Sequence, residues 1–273
     1  MIRHNERMAS LAIAGFGKLG SAIARGAIDG GVVAAHEVTV WARSDTRQTQ
    51  ARIWGLRHAE WPTVLTTSRR VLLALKPQVF NQMTMERPPL APGAVIMSVM
   101  GGWRSADIGR RLGTDRVIRA MPNVAAAVRA SVTALTVPAS VDTEDGDFAR
   151  RLFAAVGHVI DMPESMLDVA TAVGASGVGF ACLFVEALEG AAVQAGMKPS
   201  AARELAVGAV VGAGRSLQVT GYGPSDLRRQ VTSPGGTTAA GVQALKAGGL
   251  GELVRRAVDA ARARADELGR LHD

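Results

Sequence analysis

Gly15, Gly17 and Gly20 are the residues whose spacing most directly implies chemistry, because they follow an apolar run at residues 11–14 and open a helix-compatible run. A strand that turns sharply into a helix needs one glycine to close the turn and a second to let backbone approach a pyrophosphate. A third lets the helix pack on the strand. The first N–H groups of such a helix then face the phosphates. Phe16, Lys18 and Leu19 complete the loop, so residues 15–20 are the expected phosphate-binding segment. An ordinary strand, turn and helix in a glycine-rich chain would show the same triplet, and the pattern alone leaves that alternative open.

Which nucleotide is expected depends on the next strand. Chains that receive the ribose hydroxyls of NAD end their second strand in Asp or Glu, about 20 residues past the first glycine. Here the apolar run at 38–42 ends in Arg43 and Ser44. Arginine presents five donors in a rigid fork and a planar face, which suits a phosphate beside an adenine. NADPH is therefore the expected cofactor, with NADH as the alternative. Asp45 is the opposing signal, read here as a cap on the following helix.

Three further segments carry groups that could line a ligand. Leu75, Lys76 and Pro77 close the strand expected at 71–75, at the end where this kind of sheet binds ligands. Met121, Pro122 and Asn123 close another strand, where Pro122 stiffens the backbone and Asn123 could bind the nicotinamide ribose or carboxamide. A solvated Lys76 and a turn-capping Asn123 are the plain alternatives. Ser233, Pro234, Gly235, Gly236, Thr237 and Thr238 have the make-up of an anion nest at a helix start, where successive amides converge on a carboxylate. Taken alone, that run reads equally as a helix N-cap.

The elements that must position these groups fall into two halves. Up to residue 162, short apolar runs at 38–42, 71–75, 95–98, 117–120, 132–137 and 158–161 alternate with helical ones, implying a parallel-rich sheet. Residues 142–145 put acidic groups at a helix start, where the dipole favours them. Beyond Pro163 strands disappear. A helix is predicted over 165–195, followed by helices near 200–219, 226–231, 237–247 and 252–271. Residues 169–185 are uncharged, fall just short of a spanning length, and predict a buried helix that also buries Cys182. That helical half is apolar on several faces, which implies a partner subunit.

Composition narrows the classes further. The 273 residues are 48% apolar and carry a net charge of +7. The arginines are scattered and lack interleaved aromatics, so nucleic-acid binding has no local support. One cysteine excludes a disulfide framework, and His4, His36, His58, His158 and His272 show no metal-ligand spacing. The first ten residues are too polar for a secretory segment and read as a loose tail. A cytoplasmic protein without membrane attachment is the expectation.

Together, Ala74-Leu75-Lys76-Pro77-Gln78, Arg119-Ala120-Met121-Pro122-Asn123 and the segment from Val231 to Thr238 resemble the signature segments of the pyrroline-5-carboxylate reductase family. With the glycine triplet they recur in the family's order over most of the chain. The resemblance implies an N-terminal Rossmann domain at 1–162 and an all-α dimerisation and substrate domain at 163–273. It implies a homodimer or larger assembly, and NAD(P)H-dependent reduction of a small anionic cyclic imine, foremost pyrroline-5-carboxylate to proline. Substrate binding is implied for Ser176, Ser233, Gly235, Gly236 and Thr237, and Thr238 would face the imine nitrogen as the catalytic residue. The family's Ser-Gly-Ser-Gly-Pro-Ala-Tyr is met here by Gly174, Ala175, Ser176, Gly177, Val178, Gly179 and Phe180. Loss of two hydroxyls and a proline there leaves a different cyclic imine as a second reading. A non-catalytic dinucleotide sensor is the third.

Overall fold

The structure, a computed structural model, describes residues 9–270. Residues 1–8 with His4, and Leu271 and His272 at the other end, lie outside the described residues, whereas Ala9 and Ser10 are not a loose tail but donate their N–H groups to Thr67 O at 2.8 Å and Glu37 O at 2.9 Å. The glycine turn joins β1 (Leu11–Ala14) to α1 (Lys18–Asp29), and β2 (Val38–Trp41), α2 (Asp45–Ile53) and β3 (Arg57–His58) follow. β4 (Arg70–Leu73), α3 (Pro77–Met83), β5 (Val95–Ser98), α4 (Ser105–Leu112) and β6 (Val117–Met121) continue the alternation. β7 (Ser131–Thr136), α5 (Thr143–Ala154) and β8 (Gly157–Asp161) complete it.

The strands lie in the order β3-β2-β1-β4-β5-β6-β7-β8. Neighbours are parallel except β6 and β7, which are antiparallel. The chain therefore winds outward from β1 and then jumps to its other side at β4, which makes the ends of β1 and β4 the switch point where such sheets hold ligands. Two differences from the sequence reading stand out. β3 is an additional edge strand of two polar residues, too short to leave a pattern, and β7 and β8 both run against the direction shared by the other strands.

Both faces of the central strands β1, β2, β4 and β5 are covered, so these read as near-continuous apolar runs. Leu11, Ile13, Val38, Val40 and Leu72 face the layer containing Ile23 and Phe153. Ala12, Ala14, Val71, Leu73 and Ile96 face the layer containing Phe80, Trp103 and Leu112. Phe80 and Trp103 meet edge to face with centroids 4.8 Å apart. Gly26 lets α1 lie on α5, since a Cβ there would stand 2.4 Å from Val156 Cγ1.

At the end of the sheet opposite the glycine turn, where β4 and β6 begin, Asp142 caps α5 by accepting from the Asp145 N–H at 2.9 Å. The fully buried Asp145 carboxylate accepts from Arg70 Nε at 2.7 Å and Arg116 Nη2 at 3.0 Å, and also from Arg69. That hydrogen bond raises the Arg69 pKa, while the Asp145 amide and then Arg116 lower that of Asp142.

The described chain forms two compact units, one of residues up to 175 together with those from 261 on, the other of 176–260. After β8 come α6 (Leu167–Ala170), a π turn at Thr171–Ala175 and α7 (Ser176–Gln194). Next are α8 (Pro199–Thr220), α9 (Pro224–Gln230), α10 (Thr237–Ala247) and α11 (Leu250–Arg270). The single helix predicted over 165–195 is thus nearly continuous but changes pitch at the π turn.

Its predicted burial does not hold within one chain. Between residues 169 and 185 only Ala172 is buried, Cys182 is exposed, and Leu183 is 65% exposed. The run Glu164–Gln194 is also longer than its uncharged core, long and apolar enough to cross a membrane by length and composition. Apolar periodicity marks a face that needs cover without saying which chain provides it.

Candidate active site

The glycine turn has the geometry its spacing predicted. Gly15 holds φ +107, and a Cβ there would lie 2.4 Å from the Ala74 carbonyl oxygen, so the turn passes directly over the end of β4. A Cβ on Gly20 would stand 2.1 Å from Gly15 O, which is how α1 packs under the loop. Gly17 differs, because a Cβ there meets nothing within 4 Å. The side of the loop that faces the start of α1 is open, and no side chain caps that helix. Open space above uncapped N–H groups is the cradle a pyrophosphate requires.

A cleft of about 330 Å³ extends from this turn across the ends of β1, β2 and β4. Gly15, Phe16, Gly17, Arg43, Ser44, Leu75 and Lys76 line it, all of them expected cofactor residues, and no lining residue is acidic. Arg43 and Lys76 are exposed and have no ion-pair partner among the described residues. Asp45 does not cap α2 but is its first helical residue, following Ser44 at the cap position. The cleft thus offers free cations to a phosphate and no carboxylate to ribose hydroxyls, which fits a phosphorylated adenosine end.

Arg47 is the residue that sequence reading missed. It lines this cleft and also a neighbouring cavity of about 440 Å³, while donating to Gln50 Oε1 at 2.7 Å. The signal was present in its position one helical turn past Arg43, at the start of α2.

The second cavity is lined by Lys18, Leu19, Pro122 and Asn123 along with Ala175. Both clefts fall within the roughly 300–1,000 Å³ of small-molecule sites. Asn123, two residues past β6, is extended and caps the 3₁₀ turn Val124–Val128, its Oδ1 accepting from Ala125 N at 3.0 Å. Its Nδ2 donates to Gly174 O at 2.9 Å. Gly20, Pro77 and Met121 line neither cleft. Gly20 supports the loop, Pro77 opens α3, and Met121 is buried against Leu167.

The remaining expected residues belong to the helical unit. Ser176 begins α7. Gly235 takes φ +72, Gly236 stands at the cap of α10 and donates its N–H to Ser233 O at 3.1 Å, and Thr237 and Thr238 are the first two helical residues. No side chain caps α10. Its start is therefore a tight, exposed turn with unclaimed amides beside two hydroxyls, a suitable seat for a carboxylate. Glu186 is exposed on α7.

The chain is similar to known proteins along nearly its whole length. Residues 164–268 match the family model for pyrroline-5-carboxylate reductase dimerisation, and residues 10–102 match that for coenzyme F420-dependent NADP oxidoreductases. The first match accounts for the uncovered faces of the helical unit as a surface for homo-oligomerisation. The pyrroline-5-carboxylate reductase of Thermus thermophilus is 37% identical over 95% of this chain and 98% of its own length. The solved reductase from Coxiella burnetii superposes with a TM-score of 0.86 at 30% identity, covering 96% of this chain and 99% of that one. A Plasmodium falciparum pyrroline carboxylate reductase solved with NADP bound shares the fold, with a TM-score of 0.84 at 21% identity over 96% and 98%. With a relative this similar across nearly its whole length, the chain belongs to the pyrroline-5-carboxylate reductase family.

Proposed function

We propose that this protein reduces pyrroline-5-carboxylate to proline with NADPH, working in the cytoplasm as a homodimer or larger homo-oligomer. The observation that carries the reading is the cleft where the glycine turn meets Arg43, Arg47 and Lys76 with no acidic residue among its lining. Residues 15–20 hold the pyrophosphate on the start of α1. Arg43, Ser44 and Arg47 hold the adenosine phosphate, and Leu75, Lys76, Pro77, Met121, Pro122 and Asn123 form or support the remaining wall. NADPH, when bound, supplies a hydride.

The chain's own work is placement and charge. Ser233, Gly235, Gly236 and Thr237 hold the substrate carboxylate on the amides at the start of α10, with Ser176 as a further polar contact. The Thr238 hydroxyl faces the imine nitrogen. Adding hydride to the C=N carbon of a protonated imine gives a secondary amine directly. If the substrate arrives unprotonated, Thr238 relays the missing proton through water. Proline formed in proportion to NADPH consumed, with pyrroline-5-carboxylate as substrate, tests the whole reading. A second reading, a different cyclic imine, is favoured by Val178 and Phe180 where the family has proline and tyrosine. Turnover of another cyclic imine with none of pyrroline-5-carboxylate would establish it instead.

Two substitutions test individual assignments. Arg43→Ala is expected to raise the KM for NADPH about tenfold, equivalent to about 1.4 kcal/mol, and to leave that for NADH within about twofold. An equal loss for both cofactors would remove Arg43 from the phosphate. Thr238→Ala is expected to lower kcat about 100-fold by taking away the group at the nitrogen. NADPH binding measured by fluorescence should stay unchanged, and full turnover in that variant would end the catalytic assignment.

A further inference from the structure

Arg119, Met121 and Asn123 lie two residues apart along extended backbone and so share one face of β6 and its continuation. Each holds a different point of the segment that follows β8. Arg119 is 5% exposed, with Nη1 3.4 Å from Glu164 Oε1 and Nη2 donating to Met100 O at 3.1 Å. Burial lowers its pKa, and the charge of Glu164 opposes that shift. Glu164 in turn accepts from the backbone N–H of Ser105 at 2.7 Å and from its hydroxyl. Met121 packs on Leu167, with Met162 and Ala170 beside it.

Asn123 holds the far end, where its Nδ2 reaches Gly174 O at 2.9 Å inside the π turn Thr171–Ala175. A π turn disturbs the regular helical ladder, and a carbonyl displaced from that ladder needs another donor. The same side chain caps the next turn through Oδ1, and the Asn123 N–H donates to the buried Ser131 hydroxyl oxygen at 3.0 Å. Asn123 is therefore fixed from several sides before any ligand is considered.

We propose that Asn123 is a positioning residue, whose amide holds the π turn at Gly174 and so sets where the chain leaves for Ser176 and α7. It governs the substrate end of the site without touching the imine. The proposal rests on the reductase reading above for its effect on turnover, and on geometry alone for the tether.

Asn123→Asp separates the roles, because a carboxylate of the same shape still accepts from Ala125 N–H but cannot donate to Gly174 O. In the full-length protein, amide hydrogen exchange over residues 171–180 is expected to accelerate about tenfold or more. The fall in kcat/KM for the imine is expected to be about 10- to 100-fold and to exceed any loss of NADPH affinity by about tenfold or more. Asn123→Ser, which also caps but is too short to reach Gly174, gives the same three readouts if the aspartate variant does not fold. Unchanged exchange at 171–180 would overturn the tether. Faster exchange with normal imine kinetics, or a loss confined to NADPH affinity, would overturn the positioning role. Wild-type enzyme inactive on pyrroline-5-carboxylate would instead sink the reductase reading, leaving the exchange result to judge the tether.

Discussion

Gly15→Ala is expected to cost the protein both stability and its nucleotide, whereas Gly17→Ala costs the nucleotide alone. Gly15 combines φ +107 with a Cβ position 2.4 Å from the Ala74 carbonyl oxygen. Backbone strain of that kind amounts to about 1–3 kcal/mol, and the clash is with main chain that cannot swing aside. The loop must move off β4, so NADPH affinity should drop more than about 100-fold, over 2.7 kcal/mol, with a lower urea midpoint. Gly17 has φ −75 and open space around its missing Cβ, so an alanine there folds normally and projects a methyl group where phosphate must approach. Isothermal titration with NADPH, beside urea melts of both variants, checks the pair. Wild-type affinity in Gly15→Ala would refute the proposed loop geometry.

Asp145→Ala should be the most destabilising single change at the opposite end of the strands. Its carboxylate is fully buried and shared among Arg69, Arg70 and Arg116. Removing it takes away hydrogen bonds to charged donors and leaves a void, a loss of about 1.5–3 kcal/mol, while the partly exposed arginines are rehydrated. Urea unfolding should register a loss of that size, while the folded variant keeps normal NADPH affinity, since the cluster lies away from the cleft. A loss below about 1 kcal/mol would mean that the arginines re-pair with Asp142 and Glu144. Asp142, which is exposed, should matter less when replaced.

These two sites differ in how far the sequence reveals them. The glycine turn is local, with all its requirements within a few residues, so spacing alone predicted its conformation. The place of Arg43 beside the turn was legible for the same reason, and that of Arg47 could have been. The Asp145 cluster joins residues about seventy positions apart, which no periodicity reports. Only the acidic helix start at 142–145 was visible. The clamp made by Arg119, Met121 and Asn123 was seen as a motif, yet its partners Glu164, Leu167 and Gly174 come from another part of the chain. β3 escaped notice because two polar residues have no period. Burial of Cys182 and α7 was misjudged because hydrophobicity states a demand for cover that a single chain does not meet.

That unmet demand reaches into how the protein exists at all. Leu183, Phe184, Leu205 and Val211 leave a newly made copy with an oily flank along α7 and α8 until a mate arrives. For proteins assembled this way the folded state is held partly by mass action. Scarcity of protomers thus acts on this fold as a denaturant does, and an orphan copy is the form most exposed to clumping or adhering to lipid.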